Sequence, residues 1–391
     1  MAETPFTFYR GAASIMASDL QSTPDSGIPT QICGDAHLSN FGAYASPERR
    51  FVFDVNDFDE TTAGGAWEWD LKRLATSVEL AGRSIHLRDR ETAAAVRACL
   101  ESYRVRMQQY AQMRVLDIWY SRLDERLLQQ AIGEAEAREC VAGELHEPSQ
   151  SAQHLYPKLV AEADGRPHIA DKPPLVFHPE DDPEFVPTIE STFAHYRRSL
   201  PVDRRILFDR FSFADAAYKV VGVGSVGTRC CVALFSAGNV DPLFLQIKEA
   251  RASVYERYRK KSAFKDHGER VVSGQRLMQA ATDLFLGWAR GDDGRTYYVR
   301  QLRDMKTGAD IERMNALELR RYGGLCGWAL ARAHAKASGA PAKIAGYLGK
   351  GDAFDEAVGA FAHGYAAQNE RDHAALLQAI ADKRIVAATS T

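Results

Sequence analysis

Three blocks between Cys33 and Arg73, C-G-D-A-H-L-S-N, F-D-V-N-D-F-D-E and W-D-L-K-R-L-A, concentrate residue types that move phosphoryl groups. That transfer asks little covalent work of a protein. It needs positioned reactants, cations on the phosphate oxygens and a carboxylate beside the attacking hydroxyl. Asp35 is the candidate catalytic base. Asn40, five residues on, offers an amide oxygen to a metal, and Asp57, just past a β-rich run, offers a carboxylate that can bridge metals, with Asp59 assisting. Such hard oxygen ligands suit magnesium, which keeps waters of its own. Alone, G-D-A-H-L-S-N would read as a loop of Asx turns. Joined to Asp57 and to Asp70 at a helix start, it reads as a catalytic loop. Asp70 is expected to accept backbone N–H groups from that loop. His37 has no second histidine at ligand spacing and is expected to pack or hydrogen-bond beside it. Asp54 alternates along its strand and is expected to face elsewhere.

A second cluster comes about 190 residues later. Gly222, Gly224 and Gly227, with Ser225 among them, spell G-x-G-x-x-G, which is weak by itself. A dinucleotide-binding unit would begin a helix at the third glycine. Here Thr228 to Phe235 is strand-like, which favours a hairpin flap over phosphates. Lys248, in L-F-L-Q-I-K-E at the end of a strand, puts an ammonium where it can reach the α and β phosphates of a nucleotide. Glu269, in the helix that follows, is the expected carboxylate partner, with Glu249 and Glu256 competing.

The elements that must position these groups follow from periodicity. Phe51 to Val55 is a strand, and Asp59 to Gly65 reads as a loop. Trp67, Leu71, Leu74, Val78 and Ala81 predict a helix over 67–81 with Gly82 just beyond its end. Val96 to Tyr110 repeats the period. Eight of the fifteen prolines gather between Pro148 and Pro187, which forbids a long regular element there. Tyr218–Val221, Cys230–Phe235 and Leu243–Ile247 predict three antiparallel strands. A helix over 268–286 follows, then a hairpin joining 285–288 with 297–302, then mostly helix over 311–385 with a break near Gly339 to Gly346. The predicted parts are 1–145, carrying the catalytic loop; 146–205, a connector; 206–306, a β-rich nucleotide-binding part; and 307–391, the rest of the helical part.

Composition excludes several classes. The 391 residues are 45% hydrophobic, enough for a large core. With 49 basic and 52 acidic residues interspersed, the chain has no general nucleic-acid surface. Six cysteines without zinc or C-x-x-C spacing suit free thiols in a reducing cytoplasm. Without a signal segment or an 18-residue apolar run, no membrane partner is expected. Oligomeric state has no signature.

The run from Asp35 to Leu74 resembles the aminoglycoside phosphotransferase and choline kinase branch of the protein-kinase-like superfamily. It matches G-D-x-H-x-x-N at Gly34, Asp35, His37 and Asn40, I-D-F at Asp57 and Phe58, and D-L-A at Asp70 and Leu71. Cys33 stands where that branch usually has histidine. The whole chain is similar to the bacterial domain of unknown function 2252 family, through F-Y-R-G-A-A, C-G-D-A-H-L-S-N-F-G, N-D-F-D-E, W-D-L-K-R-L-A, G-V-G-S-V-G and A-R-A-H-A. That similarity brings no established activity. Members usually carry a segment ahead of F-Y-R-G, so this chain looks short at its N-terminus.

The kinase resemblance implies an α+β, two-lobed fold with a small antiparallel β lobe and a larger helical lobe. Because the glycine flap and Lys248 follow Asp35, the order would be circularly permuted. Leu325 to Ala337, with His334 near its end, resembles the helix that normally runs into the catalytic loop. The implied activity is ATP- and Mg-dependent phosphoryl transfer to a hydroxyl-bearing acceptor, small molecule or protein, with nucleotidyl transfer as a variant. The alternatives are a non-catalytic nucleotide sensor or scaffold, and a metal-dependent phosphoesterase, for which G-N-H and further clustered histidines are missing.

Overall fold

The computed structural model describes residues 1–132, 159–163, 166–179, 182, 184–220, 227–238, 241–259, 261–302 and 309–386. The chain is α+β. Near the N-terminus it forms α1 (Pro5–Gly11), α2 (Ala13–Asp19), β1 (Pro29–Ile32), β2 (Phe41–Ala45), β3 (Phe51–Val55) and β4 (Thr62–Ala66). Helices α3 (Trp67–Ser84), α4 (Asp89–Tyr110), α5 (Val115–Tyr120) and α6 (Glu125–Ile132) follow. Past residue 158 come β5 (Val160–Ala163), β6 (Arg166–Ile169), β7 (Val176–Phe177), α7 (Phe185–Ser199) and α8 (Val202–Phe208). Strands β8 (Ser212–Lys219), β9 (Cys230–Ala237) and β10 (Asp241–Ala250) lead to α9 (His267–Met278), β11 (Gly287–Arg290) and β12 (Thr296–Gln301). The chain closes with α10 (Ala316–Ser338), α11 (Pro341–Leu348) and α12 (Ala353–Ala381).

Six strands make one antiparallel sheet in the order β11-β12-β10-β9-β8-β7. Alternation along its strands divides the side chains between two faces. Cys231, Ala233 and Phe235 of β9 and Leu243, Leu245 and Ile247 of β10 pack against Phe193, Tyr196 and Phe208 of α7 and α8. Val232, Leu234 and Phe244 enter a different cluster with Ile169, Val176 and Leu302. On that second period of β10 and β12 lie Gln246, Lys248, Tyr298 and Arg300. Lys248 pairs across the ladder with Tyr298, and Gln246 with Arg300.

The largest core joins α1, α3, α4, α10 and α12 with the β1–β4 strand pair and the β2–β3 hairpin. Small residues let α10 lie close on α4; a side chain at Gly327 would collide with the Cys99 carbonyl. The two ends of the described chain meet, with Asn369 Nδ2 donating to the Pro5 carbonyl at 2.9 Å.

The structure revises several expectations. Helix α3 runs through Gly82 to Ser84, because Gly82 is where Thr92 of α4 presses against it and is no cap. The second half of the loop expected over Asp59–Gly65 belongs instead to a strand, Thr62–Ala66, bound to β1, and Gly65 makes room for Ile32. Helix α9 ends at Met278 instead of continuing to 286, since the next residues extend to dock on β3: Gln279 Nε2 donates to the Val55 carbonyl at 2.7 Å and Ala280 N to Asp54 Oδ2 at 2.8 Å. The break after α10 is confined to Gly339 and Ala340, with Gly346 inside α11. The strands predicted at Cys230–Phe235 and Leu243–Ile247, the 285–302 hairpin and the helical C-terminal region are present, whereas the strand expected at Tyr218–Val221 runs earlier, over Ser212–Lys219, with Val221 outside the described residues. Between 160 and 179 the described part of the proline-rich segment holds only the short strands β5, β6 and β7. Cys33, Cys99, Cys230, Cys231 and Cys326 are buried free thiols; Cys140 lies outside the described residues. Among the described residues no helix is long and apolar enough to cross a membrane.

Candidate active site

The loop between β1 and β2 is held from below by Asp70. One carboxylate oxygen accepts the Gly34 N–H at 2.9 Å, and the other accepts Cys33 N–H at 2.8 Å and the Cys33 thiol at 3.2 Å. Burial, and next the Asp70 charge, push the Cys33 thiol well up, so it remains an S–H donor. His334 Nε2 from α10 lies 3.1 Å from the same Asp70 oxygen, and its Nδ1 is 2.9 Å from Tyr103 Oη. The support role predicted for Asp70 therefore holds. Helix α10 thus reaches the loop through Asp70. Gly34 has φ +85, and a side chain there would collide with the Glu60 carbonyl, so this crossing requires glycine.

Asp35 sits at the top of the loop, largely covered. Its Oδ1 accepts from Arg73 Nε at 2.5 Å, and its backbone carbonyl accepts from Asn40 Nδ2 at 2.9 Å. Asn40 closes a 3₁₀ turn, Leu38–Asn40. With its amide nitrogen turned to Asp35, the Asn40 amide presents its oxygen as the acceptor. Arg73 is completely buried, stacks on the Tyr9 ring at 4.5 Å and donates to the Tyr9 carbonyl at 3.0 Å. The F-Y-R-G segment thus braces the arginine that holds Asp35.

The Asp57–Glu60 segment faces the six-stranded sheet. Asp57 Oδ1 accepts the Asp59 N–H at 3.0 Å, and its Oδ2 lies 4.0 Å from Lys248 Nζ. Lys248, only 5% exposed, is ion-paired to Asp59 Oδ2, and Tyr298 Oη donates to Asp59 Oδ1 at 2.8 Å. Burial works against the ammonium, but Tyr298, Asp59 and Asp57 outweigh it and keep the lysine charged. Arg300 reaches the Asn56 carbonyl at 3.3 Å, and buried Arg270 of α9 donates to the Asp59 carbonyl at 2.7 Å. Two stretches far apart in sequence meet here.

Glu269, expected beside Lys248, instead lies in the first turn of α9, where its N–H donates to Asp266 Oδ1 at 3.2 Å. Asp59 makes the ion pair because the alternation of β10 points Lys248 across at the Asp57–Asp59 turn. Gly227 has φ +78, and its carbonyl accepts from Arg251 Nη2. Gly222, Gly224 and Ser225 lie outside the described residues. Asp54 faces away as expected, buried on Arg332 of α10 at 2.8 Å.

Arg73, Tyr298, Arg300 and His334 were not singled out as site residues from sequence. A signal existed for two groups. Arg73 is three residues after Asp70 on one helix, so both face the same loop. Tyr298 and Arg300 share a strand face by two-residue alternation.

His37 is 3% exposed, and burial, set partly against Asp35, pushes its imidazole down to about 4. The folded state keeps it neutral while an unfolded chain protonates near 6.5. This histidine therefore lowers stability as pH falls from 6.5 toward about 4, by about 3 kcal/mol. Glu60 acts in the opposite direction: burial, opposed by the Val254 N–H, raises it from 4.5 to about 7, so its contribution fades as pH rises through that window. Replacing His37 with glutamine should remove the first effect alone. Urea unfolding of both proteins from pH 4 to 7 should show the variant gaining on the wild type as pH drops, and a flat difference would contradict a neutral buried His37.

No curated protein and no solved structure matches this chain. One family, described as an uncharacterized protein conserved in bacteria (DUF2252), matches residues 1–379 of the 391. That span includes the loop held by Asp70, the Asp57–Asp59 turn and the strand of Lys248, and by this match the chain belongs to the DUF2252 family.

Proposed function

We propose that this protein is an ATP- and Mg-dependent phosphotransferase that moves the γ-phosphoryl group to a hydroxyl-bearing acceptor. The single observation that carries the reading is the 4.0 Å approach of Lys248 Nζ to Asp57 Oδ2, which joins a phosphate-gripping cation to an acidic loop with Asp35 and Asn40 beside it. The proposed fold is protein-kinase-like and circularly permuted. Its support is the end of α10, where His334 bonds the same Asp70 that holds Cys33 and Gly34, as though the helix led into that loop.

The donor set of Asn40 Oδ1 with the Asp57 and Asp59 carboxylates fits magnesium, a hard cation that takes oxygen ligands. Bound there, magnesium would neutralise phosphate oxygens. The chain's own groups do the rest. Lys248 leaves Asp59 for the α and β phosphates, with Tyr298 and Arg300 flanking it. Arg73 fixes one oxygen of Asp35, and the other takes the proton of the acceptor hydroxyl as its oxygen bonds to the γ-phosphorus. The bond from that phosphorus to the bridging oxygen breaks, and ADP leaves with the electron pair.

Isothermal titration of Mg·ATP tests the reading. Lys248→Ala or Asp57→Ala should weaken binding at least about tenfold, as expected on losing a charge-assisted phosphate or metal contact of roughly 1.4 kcal/mol or more. Equal binding by wild type and both variants would remove the nucleotide assignment. Binding with no ADP release for any acceptor would leave a nucleotide sensor. Phosphoester hydrolysis without ATP would favour the esterase.

A further inference from the structure

Toward the β7 edge of the six-stranded sheet, separated from the strand of Lys248 by β9, three side chains with ligand atoms converge. Asp215 lies on β8 at the irregularity that shifts its pairing with β9 between Phe213 and Asp215. Its side chain is almost fully buried. His168 Nδ1, from β6, is 2.8 Å from Asp215 Oδ2, and His178 Nε2, just past β7, is 3.2 Å from the same oxygen. The two imidazoles stack with centroids 4.4 Å apart and planes 13° apart. All three ligand atoms lie within 4.8 Å of one another, the one such His/Cys/Asp/Glu group among the described residues.

A second observation points to an ion. His178 Nδ1 lies 2.8 Å from Asp171 Oδ1, and the His178 backbone N–H donates to the same oxygen at 2.8 Å. A carboxylate on the far nitrogen fixes the ring and turns the Nε2 lone pair toward Asp215, an arrangement that recurs around metal-bound histidines. Asp215 is itself oriented by the Ile169 N–H, which donates to Oδ2 at 2.7 Å. Two stacked imidazoles thus present ring nitrogens to one carboxylate oxygen, three ligand atoms gathered at a single point. A divalent cation satisfies both nitrogens and the carboxylate with a single charge centre.

We propose that His168, His178 and Asp215 form a zinc site, with Asp171 as the residue that positions His178. Imidazole nitrogen with carboxylate oxygen suits zinc better than magnesium, and three protein ligands leave the fourth position to water. The ion would clasp the β5–β6 hairpin and the segment after β7 to β8, the strand that runs into the glycine-rich stretch. This site is independent of the phosphotransferase reading.

The test uses the full chain stripped with a chelator, dialysed against zinc chloride and analysed for bound metal. One zinc per chain at micromolar free zinc is expected, unaffected by excess magnesium. His178→Ala and Asp215→Asn should each lose at least about tenfold in affinity, and Asp171→Asn about 10–100-fold. His363→Ala, at an exposed histidine elsewhere, should bind as the wild type does. Cobalt should give the visible absorption of a tetrahedral site in the wild type and not in His178→Ala. Melting each metal-free variant separates a lost ligand from a lost fold. Wild type that takes up no zinc, or folded variants that bind it as well as wild type, would overturn the site.

Discussion

Asp35→Asn should lower ATP turnover by about 10²–10⁴-fold, the usual contribution of a positioned general base, while Mg·ATP affinity is retained. The amide keeps the size of the side chain and removes only the capacity to take a proton. Turnover is read as ADP release, with added acceptors or with water as the slow acceptor, and affinity by titration. The contrast with Lys248→Ala is the point: one variant loses chemistry, the other loses binding. If Asp35→Asn turns over as fast as wild type, Asp35 has no part in the mechanism. The 2.5 Å contact from buried Arg73 makes a further distinction possible, because Arg73→Lys keeps charge but loses the planar guanidinium that spans Asp35 and Tyr9.

Arg332→Met should cost about 3–5 kcal/mol of stability. Arg332 and Asp54 are both 0% exposed, and Arg332 Nη2 lies 2.8 and 2.9 Å from the two Asp54 oxygens. Methionine fills similar space but leaves a buried carboxylate whose remaining hydrogen-bond partners among the described residues are the Val55 and Ala280 N–H groups. Combining it with Asp54→Asn should restore part of the loss, since the uncompensated charge is then gone. Urea unfolding measures both. A loss under about 1 kcal/mol for Arg332→Met would mean that the pair contributes no more than an exposed one.

Local chemistry made much of this fold legible. The strand over 51–55, the β8–β10 meander and the helical stretches follow from two- and 3.6-residue periods that survive in the folded chain. What escaped depended on partners distant in sequence. Thr62-Ala-Gly-Gly-Ala66 has little strand propensity and becomes a strand only because β1 lies beside it. Gly82 resembled a cap, and only the presence of Thr92 explains it. In the site, Asp35, Asn40, Asp57 and Lys248 were named from sequence and do come together. Glu269 was named for its spacing from Lys248, yet Asp59, 189 positions away, pairs with that lysine. No local pattern reports which carboxylate a strand will face. The cation that grips Asp35 was hidden for a related reason, since an arginine inside an amphipathic helix ordinarily reads as surface.

The alternation along β10 has an evolutionary corollary. Leu245 and Ile247 belong to one layer while Gln246 and Lys248 belong to the other, so inserting or deleting one residue between Asp241 and Lys248 would exchange the two sets. Greasy side chains would then line the cleft, and the ammonium would be driven among Phe193, Tyr196 and Phe208. Natural variants should therefore differ here by replacement alone, with length changes relegated to the connection between β9 and β10.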